Sequence, residues 1–491
     1  MRLTIDEVRA SVNGALASEC GVSGEVSSVT WDSREIEPGA LYVALPGERV
    51  DGHDFVPAAF AAGARCAAVE RVDEEMIAAA RVFDAALIVV PDTVCALTDL
   101  AAAWRSRLGG LVVGLTGSTG KTTTKNLVRT VLERAGSVVA TKANQNNELG
   151  VPRTLLAADV DTRFTVVEMG MRGAGQIAEL CSFAQPAWGL VTNAGESHIE
   201  LLGGREAIAR AKTELYCALP SGGFAFVNIA DERAGLMRAS ARLLERGVEE
   251  VLFDGSLEAD ARREALSVRD RALPAVWARS VRLDGAGCAH FMLVACGFEG
   301  STGVSEVPCS LALAGVHNVS NAVAAAAVGC AAGLDLKTIA EALAQSRPEQ
   351  GRQELLRTSD GALVVNDAYN ANPDSMRASL STFASLDVSG ARIAVLGDMG
   401  ELGDFSEECH RRVGSFAAVC NLDLLVCVGE LATLIAASAV EAGMPSACIV
   451  CCADAQEALD IVRSRLAPVD AVLVKASHFM GFERIVKGLV S

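Results

Sequence analysis

Seven residues, Thr116-Gly117-Ser118-Thr119-Gly120-Lys121-Thr122, constrain this chain more than any others. They follow the apolar run Leu111-Val112-Val113-Gly114-Leu115, which reads as a buried strand. They precede a segment that carries Leu127, Val128, Val131 and Leu132 on one helical face. In a strand–turn–helix of this kind the glycines let backbone N–H groups point inward around an anion, and the helix N-terminus adds partial positive charge. A nucleoside triphosphate site is expected, contacted by Thr116, Gly117, Ser118, Thr119, Gly120, Lys121, Thr122 and Thr123. Lys121 is placed to reach the outer phosphates and the Thr122 hydroxyl to hold magnesium. The bland reading is a glycine-rich turn with no ligand. One detail departs from the common form of such loops: the first glycine of the usual spacing falls on Leu115, and Gly114 comes one residue too early.

At 491 residues the chain exceeds a single core, and its length suggests about three domains. Aromatic residues make up only 4%, so stability is expected from aliphatic packing between helices and sheets. A formal charge of −18 argues against a nucleic-acid or anionic-membrane binder. It leaves room for a phosphorylated substrate, because salt screens charges beyond roughly 8–10 Å. The 15 cysteines are scattered through alternating helix and strand patterns. Cys448 and Cys451, with Cys452 adjacent, have no second pair or nearby histidine to complete a zinc site. They read as buried, reduced thiols in a cytoplasmic protein. The N-terminal residues lack a signal peptide's apolar core, and Ala322–Leu334 is too short to span a bilayer, so no stable membrane insertion is expected.

The fold class expected is α/β in three domains, with boundaries at 1–85, 86–346 and 347–491. Residues 1–85 read as a small mixed unit with turns at Glu37-Pro38-Gly39 and Leu45-Pro46-Gly47. From 86 to 346 strands and helices alternate, as in a parallel sheet with crossover helices, interrupted by a β-rich stretch at about 278–313. After Ser346-Arg347-Pro348 the alternation restarts as a smaller open α/β, Rossmann-like domain.

Four polar features follow the loop in the middle domain. The segment 144–152 is rich in amides. Glu168 ends the run Thr165-Val166-Val167, where a carboxylate suits magnesium. His198 sits in a polar loop, and Lys212 borders the apolar stripe Ile208, Ala211, Leu215. A lysine held near apolar surface has a lowered pKa and becomes nucleophilic. Each has an ordinary alternative: a polar loop, a surface glutamate, a satisfied histidine, a snorkelling lysine.

Together these residues resemble the Mur ligases, which extend the peptide stem of the peptidoglycan precursor. That family uses Thr-Gly-x-x-Gly-Lys-Thr, matched by 116–122, and the likeness extends to 146–152, Glu168, Asn193 through His198 and Lys212. Trp31-Asp32-Ser33-Arg34 and Asp51-Gly52-His53-Asp54-Phe55 resemble its uridine-nucleotide domain, and Gly315-Val316-His317-Asn318 its segment near the adenine. Gly351-Arg352, Asn366-Asp367-Ala368-Tyr369-Asn370-Ala371-Asn372-Pro373 and Gly397-Asp398-Met399-Gly400-Glu401-Leu402-Gly403 with His410 resemble its C-terminal domain, most like the branch that adds D-alanyl-D-alanine. An Asp-Asn-Pro-Arg motif of the diamino-acid-adding branch is absent.

The resemblance implies an ATP-dependent peptide ligase acting on a UDP-N-acetylmuramoyl-tripeptide and D-alanyl-D-alanine through an acyl phosphate, as a cytoplasmic monomer. It implies Lys121, Lys212 and His198 as catalytic residues, with Asn318, Arg352 and Asp367 at the adenine and ribose. Two magnesium ions are implied, one on Thr122 and Glu168, the other on His198 and a CO₂-derived carbamate on Lys212. Ser33 and Arg34 are implied at the uridine diphosphate. Rival readings are the ligase adding the third stem residue, a folylpolyglutamate synthase-like enzyme, and a nucleotide-dependent switch. One departure stands out: where the family commonly has Lys-Gly-Ser-Arg, this chain has Lys475-Ala476-Ser477-His478.

Overall fold

The computed structural model describes residues 1–17, 23–47, 50–197, 199–299 and 303–491. His198 therefore lies outside the described residues. Among these residues the strands form three main α/β sheets, one per domain.

The first sheet has five strands in the order Ala15–Leu16, Ala86–Val89, Cys66–Val69, Ala40–Val43, Ser28–Thr30, parallel except at the first pair. Ala86–Val89 hydrogen-bonds into this sheet, so the sheet runs past the boundary expected at residue 85.

The central sheet has nine strands, and its parallel part runs Val138–Ala140, Phe164–Glu168, Leu111–Thr116, Trp188–Val191, Phe224–Asn228, Glu249–Asp254, Ala275–Leu283. The strand before the phosphate loop thus lies inside the sheet, flanked on both sides. Its residues alternate between two cores, Val112 on one face and Val113 and Leu115 on the other, as expected for a parallel strand covered on both faces. The β-rich stretch proves to be an extension of this sheet. Cys288–Cys296 and Val304–Ala314 add antiparallel to Ala275–Leu283.

Helix Lys121–Leu132 packs against helix His317–Ala331, whose alanines are buried. A Cβ on Gly329 would come within 2.5 Å of Val131 Cγ1, so small side chains are what let these two helices approach.

The third sheet has six strands, Glu354–Arg357, Leu363–Asn366, Ala471–Lys475, Arg392–Gly397, Leu424–Val428, Ile449–Cys452, parallel except at the first pair. None of the described cysteines is in a disulfide; Cys95, Cys217 and Cys451 are exposed, so within the group Cys448, Cys451 and Cys452 the reading as buried thiols fails at Cys451, with Cys448 half-buried. Each exposed cysteine is near a helix or sheet edge, where a small thiol is tolerated in contact with water. Among the described residues no helix is long and apolar enough to cross a membrane.

Candidate active site

Gly120 caps helix Lys121–Leu132 with φ of +75°, a conformation that favours glycine, and its Cβ would meet Asn321 Oδ1 at 2.5 Å. A Cβ on Gly117 would lie 1.8 Å from Thr192 Oγ1. Both glycines of the loop are thus fixed by close approach.

The early glycine has a different task. Gly114 sits in register beside Gly189 on the neighbouring strand, and a Cβ on either would press on Leu215, at 2.7 Å and 3.2 Å. Leu215 belongs to helix Arg205–Cys217, which carries Lys212. The two glycines form a groove that lets this helix settle on the sheet beside the phosphate loop.

The loop is braced by the polar tip of strand Trp188–Val191. Asn193 Oδ1 accepts from Thr119 N at 3.0 Å, Thr192 Oγ1 donates to Thr119 O at 2.7 Å, and Ser197 Oγ donates to Ser118 O at 2.9 Å. Lys121 Nζ donates to Gly117 O at 2.9 Å, folding the side chain over the loop. Burial pulls the Lys121 pKa down.

Glu168 stands at the end of its strand, as the sequence suggested, but it is buried. Its Oε1 accepts from Asn146 Nδ2 at 2.9 Å and lies 3.3 Å from the Thr122 hydroxyl that donates to it. Its Oε2 has no hydrogen-bond partner, with the Lys125 ammonium 3.9 Å away. A buried carboxylate oxygen left unsatisfied is costly, and a hard cation would satisfy it. Glu168, Thr122 and Asn146 offer oxygen ligands of the kind magnesium prefers. Among the described residues no group of three or more His, Cys, Asp or Glu converges, so such an ion would complete its shell with water and phosphate oxygens.

Lys125 was missed at the sequence level. It is fully buried and donates to Ala143 O at 3.3 Å. Its helical position, four residues after Lys121 and thus on the same face, was the available signal.

Lys212 is buried, and among the described residues its amine has no hydrogen-bond or ion-pair partner. Burial, aided by the charge of Lys121, drives its pKa well below the usual lysine range. Its side chain does not line the open cleft; it lies beneath the loop, close enough to Lys121 to feel its charge.

The cleft of ≈ 1190 Å³ runs between the central and C-terminal domains and gathers Ser118–Thr123, Glu168, Asn318, Arg352 and Asp367. Asn318 donates to Ala314 O at 2.7 Å and accepts from Asn321 Nδ2 at 2.8 Å. Asp367 is held by Lys475 Nζ at 2.7 Å, and the same ammonium donates to Asn370 O at 2.9 Å. The Arg352 guanidinium lies 4.1 Å from the centre of the Tyr369 ring, and the His478 ring is 5.7 Å from it. The histidine at the departure from the family pattern therefore lines the cleft. His410 instead is structural: it is buried, accepts from Met399 N at 3.0 Å and fixes the loop after strand Arg392–Gly397.

Ser33 and Arg34 lie apart from this cleft, in the N-terminal domain. Arg34 is exposed and forks onto Asp32, at 2.8 Å and 2.7 Å, and this pairing holds the Asp32 carboxyl at a pKa of about 2.

Sequence models of three kinds match the chain: "Mur ligase family, catalytic domain" over residues 25–105, "Mur ligase middle domain" over 115–329 and "Mur ligase, glutamate ligase domain" over 351–478. A protein of Mycobacterium leprae named UDP-N-acetylmuramoyl-tripeptide--D-alanyl-D-alanine ligase is 36% identical over 99% of this chain and 98% of its own length. The crystal structure of MurF from Acinetobacter baumannii superposes with a TM-score of 0.82 at 30% identity, covering 100% of this chain and 99% of that one. MurF ligase from Thermotoga maritima, solved in complex with ADP, gives 0.73 at 25% identity over 94% and 97%.

Proposed function

This chain belongs to the Mur ligase family, and from that premise we propose that it joins D-alanyl-D-alanine to a UDP-N-acetylmuramoyl-tripeptide, at the expense of ATP, in peptidoglycan precursor synthesis. The observation that carries the reading is a phosphate loop facing a half-satisfied buried carboxylate, over a buried lysine that has no counter-ion among the described residues. A simple nucleotide switch has no use for the lysine. Full-length relatives that bear this enzyme's name give the acceptor.

Amide formation in water is uphill, and a carboxylate is a poor electrophile. The tripeptide carboxylate attacks the γ-phosphorus of ATP, forming a C–O–P acyl phosphate and releasing ADP. The dipeptide amine attacks the acyl carbon, loses its proton, and phosphate departs from the tetrahedral intermediate. Two anions must meet in the first step, so charge is the main obstacle. Lys121 offsets charge at the outer phosphates, and the backbone of Thr116–Thr123 holds them. Arg352, Asn318 and Asp367 orient the nucleoside from the C-terminal side, with the Lys475 ammonium holding the Asp367 carboxylate in place. Ser33 and Arg34 serve the uridine diphosphate, Arg34 exchanging Asp32 for phosphate.

Magnesium, when bound, neutralises phosphate charge and polarises the γ-phosphoryl group. Thr122 and Glu168 would hold one ion; His198 and a carbamylated Lys212 would hold the second. The lowered pKa of Lys212 supplies the neutral amine that adds to CO₂, losing one proton to give a carbamate. The enzyme works as a cytoplasmic monomer, with an N-terminal uridine-nucleotide domain that includes strand Ala86–Val89, a central ATP domain and a C-terminal ligase domain.

The test is ADP release in the presence of ATP, Mg²⁺, UDP-muramoyl tripeptide and one acceptor at a time. Release dependent on D-alanyl-D-alanine, with a product heavier by the dipeptide residue mass, supports the reading. Release that depends instead on a free diamino acid with a UDP-muramoyl dipeptide, or on no acceptor, overturns it.

A further inference from the structure

The phosphate loop is physically tied to the C-terminal domain. Asn372 Nδ2 donates to Ser197 Oγ at 2.7 Å, and Ser197 Oγ donates in turn to the carbonyl of Ser118 at 2.9 Å. Ser197 is buried, so neither bond is exchanged freely for water. Beside this relay, Asp374 Oδ2 accepts from Glu196 N at 3.1 Å, and the buried Glu196 carboxylate binds Arg205 of its own domain and Arg412 of the other. Burial raises the Glu196 pKa, but the two arginines outweigh it, so the carboxylate stays ionised.

We propose that Asn372 and Ser197 are positioning residues for phosphoryl transfer: the amide of Asn372 fixes the Ser197 hydroxyl on the Ser118 carbonyl and so holds the phosphate loop in place. The proposal rests on the reading of the protein as an ATP-dependent ligase. The hydroxyl of Ser197 has one proton. It can satisfy the Ser118 carbonyl only while another group donates to its oxygen or that lone pair is left empty. With Asn372 in place the hydroxyl is held at both ends and cannot rotate away. Without the Asn372 amide, the Ser197 hydroxyl regains its rotor freedom, and Ser118 loses a fixed partner. The loop backbone, already held at Thr119 by Asn193, then has one anchor fewer.

Asn372 also caps helix Pro373–Ser385, where its Oδ1 accepts from Ser375 N at 2.8 Å. A test must spare that cap. Asn372→Ser keeps a good capping side chain while losing the amide that reaches Ser197. The full chain is compared as wild type, Ser197→Ala, Asn372→Ser and the double variant. Melting temperature is the folding control, and kcat and the KM for each substrate are the readouts.

Each single variant is expected to lower kcat by about five- to tenfold, with the KM for the tripeptide and dipeptide within twofold. The double variant is expected to be no slower than the slower single one, because both break one chain of bonds. Ser197→Thr, which keeps the hydroxyl, is expected to retain kcat within about twofold. Single variants that melt like the wild type yet turn over at its rate, or a double variant whose losses multiply, would overturn the relay. A variant that melts early while Ser197→Thr is equally slow would also overturn it, as a purely structural effect. A wild-type chain that shows no dipeptide-dependent ADP release would instead sink the ligase reading, independently of the variants.

Discussion

Lys212 is a costly side chain to bury at the site. A buried lysine with no counter-ion among the described residues destabilises the folded state in its charged form, and its depressed pKa is the sign of that cost. Between the depressed pKa and the ordinary lysine value the unfolded chain binds more protons, so this residue's penalty eases only as pH rises. Lys212→Met, close in shape, is therefore expected to lose ligase activity by at least about a hundredfold. It should also gain on the order of 1 kcal/mol of stability, or roughly 2–4 °C in melting temperature. A kinetic assay and a thermal melt check both, and an active or destabilised variant contradicts the role. His317 follows the same chemistry at lower pH. Burial pushes its pKa from 6.5 to about 4, so it is neutral in the folded protein. Its contribution is fully present above pH 6.5 and is lost as pH falls towards 4, because the unfolded state takes up the proton first. His317→Gln should flatten the fall of melting temperature across that window; an unchanged slope would show that other groups govern it.

At the scale of elements, the two glycines that receive Leu215 explain the unusual spacing of the phosphate loop. Gly114 is a strand residue shaped by helix packing, while Leu115 points into the opposite core and leaves no space for a turn. Gly114→Val should lower stability by about 1–3 kcal/mol through overpacking and displace the helix bearing Lys212. Adding Leu215→Val, which shortens the opposing side chain, should recover part of the loss. Simple additivity of the two substitutions, read from denaturant unfolding, would mean they do not meet. Strands such as Phe224–Asn228 and Leu363–Asn366 were legible from the sequence because parallel strands buried on both faces are apolar throughout. The stretch at 278–313 was legible as β but not as part of the central sheet. Alternating residues of an edge hairpin report exposure and not the strand they pair with.

For the whole molecule, the sequence marked the residues that end strands or open helices, since open α/β sheets collect their ligands there. Glu168 and the phosphate loop belong to that class. Pairings across the chain were not legible: Asp367 and Lys475 meet over a separation of 108 residues, and Asn372 and Ser197 over 175. Local patterns do not encode such contacts: the first arises when two distant strands pair in one sheet, the second when one domain packs against another. The acidic surface implied by a charge of −18 coexists with the cations Lys121, Arg352 and Lys475 lining one cleft, which is how an anionic protein holds two anionic substrates. The central claim is that the loop aims a γ-phosphate at a peptide carboxylate. It is tested most directly by labelling the terminal carboxylate of the tripeptide with ¹⁸O and analysing the inorganic phosphate by mass spectrometry. One ¹⁸O per phosphate released is expected, because the carboxylate oxygen that attacks phosphorus leaves with it. Ligation accompanied by unlabelled phosphate would contradict the acyl-phosphate route and the role assigned to the loop.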